Sequence, residues 1–196
     1  MHFQMKTILT LIISLLSSFS LYAQTVTEYF NIGNPIEYSG TNFYLAWSTR
    51  PLENYIIQEY LPHGESFEHF NQMFTVSILL CDRTPFEAVE SKIEELKQRK
   101  QTDPIIRYTA SEKDGEYILE FIVSDYNNGN INTVEFNVHH YKQMNIDGKK
   151  AVVLSFYSCR GYGDNITAFI QSIPDKRDTW REDIGKLKLS PIFSKE

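Results

Sequence analysis

Short apolar runs separated by turn residues dominate this chain, and long amphipathic blocks are few. Residues 42–47, 55–60 and 74–80 are rich in β-branched and aromatic side chains, and Pro51 and Pro62-His63-Gly64 stand between them. Runs of this length bounded by turn formers predict strands. Residues 65–73 follow neither period and leave room for one helical turn. The stretch beginning Thr84-Pro85-Phe86-Glu87 breaks the strand pattern. It is a capping box with proline at the first helical position, which satisfies two backbone donors and starts a helix. Phe86, Val89, Ile93 and Leu96 recur at spacings of three and four, one apolar stripe. Glutamates weight its start and Lys97, Arg99 and Lys100 close it, a polarity that suits the helix dipole. Asp103-Pro104 marks the stop.

Strand-like runs return at 105–109, 116–125, 133–144 and 150–159, with Lys113-Asp114-Gly115, Asn127-Asn128-Gly129-Asn130 and Asp147-Gly148 between them. Asp-Gly and Asn-Gly pairs accept the positive φ of tight hairpins, so these runs predict an antiparallel meander. The alternation Glu135-Phe136-Asn137-Val138-His139 predicts a strand with one solvated face. Asp164 or Asn165 is placed to cap a helix over 166–172, and Pro174 starts or kinks a second segment through Trp180 and Ile184 to Leu187. The expected architecture is a single α+β domain over 24–196. It consists of an antiparallel sheet with a middle helix and a C-terminal helix packed on one face.

Ahead of this domain, Met5-Lys6-Thr7 leads into an apolar run from Ile8 to Leu16, then Ser17-Ser18-Phe19-Ser20-Leu21-Tyr22-Ala23-Gln24. A short positive start, about ten apolar residues and a small residue before a polar one predict a secretory signal peptide cleaved after Ala23. The run falls short of the ~20 residues of a membrane span, and three serines interrupt it. The expected location is exported, periplasmic or extracellular. Cleavage removes only Lys6 among the charged residues and takes the net charge from −6 to about −7. An acidic chain with no basic cluster repels phosphate backbones, which argues against a nucleic-acid partner. No later apolar run reaches membrane-span length.

Cys81 and Cys159 are the only cysteines. Two cysteines in an exported chain invite a disulfide, worth roughly 4.5 kcal/mol for a loop of about 79 residues. The alternative is two buried, unpaired thiols on separate strands. Aromatic residues are 14% of the chain. Most lie inside strand runs, where a pleated half-buried face favours them, and a sugar- or protein-binding surface is the sharper reading.

Residues with chemical potential are scattered. His63, Glu65 and His69, with Asp82 as a fourth donor, are the best metal-like set, but the six-residue histidine spacing does not place both on one helix face. A polar loop turned by Gly64 explains them more simply, so no metal and no cofactor is expected. His139 and His140 are neighbours in a strand and point to opposite faces, one exposed and one packed. The nucleophile motif Gly-x-Ser-x-Gly is absent. Gly161-Tyr162-Gly163 lacks the lysine and third glycine of a phosphate loop and reads as a flexible loop, though Arg160 beside it has the charge to hold an anion. Asp125 with residues 127–130 lacks the closing glutamate of a calcium loop. Asn165-Ile166-Thr167 fits a glycosylation sequon but is read as a helix start.

Gln58-Glu59-Tyr60-Leu61-Pro62-x-Gly64-Glu65, followed by Phe70 and Met73-x-Thr75, resembles a segment of exported bacterial proteins of unknown function. Arg177-x-x-Trp180 and Ile184-x-x-Leu187 are similar to the C-terminal helix of that family. Phe70 departs from the tryptophan expected there. The order of elements also resembles the PsbP and Mog1 type of α+β sandwich. The resemblance implies an exported, non-enzymatic domain and identifies no catalytic residue.

The function expected from these readings is a soluble exported binding or accessory protein that recognises another macromolecule, for instance a periplasmic immunity-type protein. The expected binding residues are His63, Glu65, His69, Arg160 and Tyr162, on the loops 61–69 and 160–164. The alternatives are an exported metal-assisted hydrolase, and a small-ligand carrier with an aromatic pocket near Trp47, Tyr60 and Tyr162.

Overall fold

A computed structural model describes residues 26–127 and 129–189 of the 196-residue chain. The expected signal peptide and its cleavage site lie outside the described residues. The strands are β1 (Ile36–Tyr38), β2 (Thr41–Leu52), β3 (Tyr55–Leu61), β4 (Gln72–Leu80), β5 (Arg107–Lys113), β6 (Glu116–Ser124), β7 (Thr133–Ile146) and β8 (Lys149–Tyr162). Helix α1 (Pro85–Arg99) separates β4 from β5, and α2 (Ile166–Lys186) follows a single 3₁₀ turn, Gly163–Asn165. All eight strands form one sheet in the order β1-β2-β3-β4-β8-β7-β6-β5. Every pairing is antiparallel. Two four-stranded meanders therefore meet through β4 and β8, and α1 carries the chain from one to the other.

Local chemistry accounts for the punctuation. Asp114-Gly115 and Asp147-Gly148 take positive φ values of 54, 78, 51 and 78°, and close the β5–β6 and β7–β8 hairpins as two-residue turns. Thr84 caps α1: its Oγ1 accepts the Glu87 N–H at 3.2 Å, and Glu87 Oε2 accepts the Thr84 N–H at 2.7 Å. The other end of α1 is tied down by Asp103, which accepts the Ser124 N–H at 2.7 Å and the Ser124 hydroxyl at 2.8 Å. Residues 65–71 form turns and contain no helix.

The two helices pack on opposite faces of the sheet, which corrects the expectation that both cover one. Successive side chains of a strand point to opposite faces. Phe136 and Val138 of β7 pack with Ile173, Trp180 and Ile184 of α2. Tyr141 of the same strand joins Leu119, Phe121 and Val123 of β6 against Val89 and Leu96 of α1. The face of β7 read as solvated is polar yet covered: Glu135 pairs with Arg160 and Asn137 accepts from Ser158. The continuous apolar run 151–154 in β8 was the sign of two buried faces.

Two further expectations at the C-terminus change. Asn165 stands at the N-cap of α2 but its side chain makes no capping bond there, and α2 runs unbroken through Pro174. Ile170, whose carbonyl loses its helical donor, lies on the exposed side with Pro174, where water reaches it. Gly161 belongs to β8 and is buried, not part of a flexible loop. A Cβ there would stand 2.5 Å from Phe169 Cβ, so only glycine lets α2 approach this strand. The dock of α2 is completed by Glu120, buried on β6. It accepts from Arg177 Nη2 at 2.9 Å and lies 3.6 Å from Arg181 Nη1.

Candidate functional site

The connection from β3 to β4 lies across the end of β8, so the two loops singled out from sequence meet. The Arg160 N–H donates to Asn71 O at 2.9 Å, and the Tyr162 hydroxyl donates to Phe70 O at 2.5 Å. Glu65 holds the loop from within, accepting the N–H groups of Asn71 at 2.8 Å and Gln72 at 3.0 Å. Gly64, at φ +85°, makes the turn before it. Two histidines of the connection then stack on tyrosines of neighbouring strands. The His69 ring lies 4.2 Å from that of Tyr162 on β8, and His63 lies 3.7 Å from Tyr44 on β2, with interplanar angles of 26 and 29°. The Arg160 guanidinium covers the Phe70 ring at 3.8 Å, and its Nε donates to Glu135 Oε2 at 2.7 Å.

Of the five expected binding residues, the structure gathers Glu65, His69, Arg160 and Tyr162, and sets His63 beside Tyr44 on β2. Glu65 and Arg160 spend their charges inside the loop and the sheet. His63, His69 and Phe67 face solvent, with Phe67 at 38%. Phe67 was not singled out by the sequence reading. An apolar residue between Ser66 and Glu68 in a turn was the available signal.

The metal-like set does not assemble. Asp82 follows β4 whereas His63, Glu65 and His69 precede it, and the nine residues of that strand separate the two ends by about 30 Å. Among the described residues, no three His, Cys, Asp or Glu side chains come together to hold a metal ion. The disulfide is also corrected. Gln72 pairs with Cys159, while the Cys81 N–H donates to Lys150 O at the far end of the same strand pair. The two sulfurs are thus about 30 Å apart, far beyond the ~7 Å Cα limit for a bridge. Both cysteines are free thiols, and burial pushes the Cys159 thiol up to about 12.

His139 and His140 do point to opposite faces, but both are buried. His139 sits between Phe121 and Phe156, and burial lowers its pKa well below the usual histidine value. His140 Nε2 lies 2.7 Å from Glu116 Oε2. The aromatic pocket of the carrier reading is divided: Tyr60 is fully buried in the α2-side core, while Trp47 pairs with Glu59 on the opposite face.

That opposite face carries a second group of side chains. Trp47, Glu59, Thr75, Phe156 and His139 are successive cross-strand partners on β2, β3, β4, β8 and β7. Helix α1 packs on β6 and β7 and leaves the β2–β4 side of the row without a helix. Burial raises the Glu59 carboxyl to about 7, and the Arg160 charge opposes that rise. A shallow cleft of about 250 Å³ opens between α1 and the ends of β6 to β8, with Arg99 and Arg160 on its walls. No helix among the described residues is long and apolar enough to cross a membrane.

No curated protein matches this sequence. Among solved structures, the crystal structure of LpqN, described as involved in cell envelope biogenesis of Mycobacterium tuberculosis, is similar over 80% of this chain and 78% of that one. The identity is 12% and the TM-score 0.34. A protein-family model matches residues 30–189, which take in all eight strands and both helices, and the chain therefore belongs to that family, whose function is uncharacterised.

Proposed function

We propose that this is an exported binding protein that recognises another macromolecule through the end of the sheet where loop 62–71 crosses β8. The observation that supports this reading is the pair of ring stacks that hold an exposed histidine on a half-buried tyrosine, His69 on Tyr162 and His63 on Tyr44, with Phe67 between the histidines in the chain. Rings held in place before binding lose little rotamer freedom on association, and they supply the kind of anchor that dominates protein interfaces. The loop backbone is held by the Asn71 and Gln72 N–H groups donating to Glu65 and by the Tyr162 hydroxyl donating to the Phe70 carbonyl. Glu65 and Arg160 are framework for this surface, and Phe67, His63 and His69 are its contacts.

The metal-assisted hydrolase gains nothing from the geometry, because its four donors sit at two ends of β4. The test is affinity capture from an exported fraction with the wild-type chain and with a Phe67→Ala, His69→Ala double variant. Both positions are exposed, so the melting temperature should not move. A partner retained by the wild type and lost by the variant fits the reading. Equal retention by both would overturn it.

A further inference from the structure

The open side of the α1 face has the composition of a cation cradle. On β2 an extra residue, Ala46, interrupts the register between Leu45, opposite Tyr60, and Trp47, opposite Glu59. Without this bulge Ala46 would face Glu59, and Trp47 would turn to the other face. Bulges commonly re-aim a side chain in this way. Glu59 is in turn opposite Thr75, and Thr75 opposite Phe156. Directly opposed side chains have Cβ atoms about 4.5–5.5 Å apart, so an acid and a hydroxyl lie side by side between two aromatic rings.

Neither polar group is satisfied within the chain. Thr75 is fully buried, and its Oγ1 is the one buried side-chain polar atom among the described residues without a hydrogen-bond partner. The Glu59 carboxyl accepts no hydrogen bond among the described residues. Among the described residues, the cation that acts on it is Arg160, which is already committed to Glu135 and Phe70. A buried hydroxyl left unpaired and a desolvated carboxyl both cost stability unless something completes them. An ammonium or guanidinium completes the half-buried acid: it pairs with the carboxyl, and the flanking ring faces of Trp47 and Phe156 attract its charge, while Thr75 forms the floor behind Glu59.

We propose that Trp47, Glu59, Thr75 and Phe156 form a recognition site for a lysine or arginine side chain presented by a basic protein partner. This deepens the binding-protein reading by naming the chemistry of the partner. The charge of the whole chain, −6, favours approach of such a surface. The site is on a different part of the molecule from the His69–Tyr162 stack, so the two can fail separately.

The test is a titration of ¹⁵N-labelled protein with a short lysine peptide, followed at the Trp47 indole N–H, which a Trp47→Phe variant assigns. An isosteric norleucine peptide and free putrescine serve as comparison probes. The lysine peptide should shift the signal saturably, and the norleucine peptide should bind at least tenfold more weakly. Glu59→Gln should weaken the lysine peptide about tenfold, and Phe67→Ala with His69→Ala should leave it unchanged. Equal shifts from the norleucine peptide, or no shift from any probe, would overturn the site. Putrescine binding as tightly as the peptide would overturn its assignment to a protein partner.

Discussion

The two tryptophans stand on opposite faces of one sheet and under opposite conditions. Trp180, on α2, packs its ring 5.3 Å from Tyr157 and 5.8 Å from Phe136, and its carbonyl accepts the Tyr38 hydroxyl at 2.7 Å. Around it the aromatic contacts extend through Tyr38, Phe43 and Phe74, and the Arg177–Glu120 pair ties the helix to the sheet. Trp47, on β2, is half-buried beside an unsatisfied acid and hydroxyl. Apolar burial is thus completed on the α2 face, while the α1 face keeps polar groups that the fold does not need. Groups that cost stability and are not used by the fold are where a binding function is best sought.

The same substitution at the two positions separates these roles most sharply. Trp180→Ala should cost about 3–5 kcal/mol in denaturant unfolding, the range for removing a large ring from a packed core. Trp47→Ala should cost less than about 1 kcal/mol. Similar losses at both would mean that the α1 face is as much core as the other. Glu120→Gln should come next, at about 1–2 kcal/mol, because Arg177 and Arg181 are partly exposed and regain water when their partner is lost. A smaller effect of about 1 kcal/mol is expected for Thr84→Ala, which removes the α1 cap.

The α2 face was the more legible of the two in sequence. The spacing of Arg177, Trp180 and Ile184 is visible in the sequence as a helical pattern, and the α1 capping box is present from Thr84 to Glu87. The hairpin turns at Asp114-Gly115 and Asp147-Gly148 were legible because positive φ has a residue signature. Strand pairing has none at this range. Nothing in the spacing of Cys81 and Cys159 says that β4 meets β8 with those residues at opposite ends. The side on which a helix lands is equally silent, since β7 offers both faces an apolar or covered row. For the candidate site, the two loops were legible as polar and turn-rich, and their meeting through Tyr162 and Phe70 was not. Glu59 was hidden because a charge within an apolar strand looks like a solvated position until its neighbours are known.

Glu59 also gives the comparison a dependence on pH. Its carboxyl titrates at about 7 in the folded chain against an ordinary value of 4.5. The folded state therefore holds the proton more tightly, and stability falls as pH rises from about 4.5 to about 7. Glu59→Gln should match the wild type near pH 4.5 and exceed it by on the order of 1 kcal/mol at pH 8. Taking the difference between the two proteins cancels the separate titration of buried His139. A constant difference between pH 4.5 and 8 would show that Glu59 is not desolvated. The smallest effect is expected from reductant: with both thiols free, dithiothreitol should leave the melting temperature unchanged.

The most direct test of recognition through the open side is site-specific photo-crosslinking in cells that export the chain. A photoreactive residue is placed at Phe67, at Trp47 or at Glu182, the last on the exposed side of α2. The account predicts a discrete adduct of the same partner from positions 67 and 47 and none from 182. Adducts from 182 with none from 67 or 47 would contradict it and move the binding surface to the C-terminal helix.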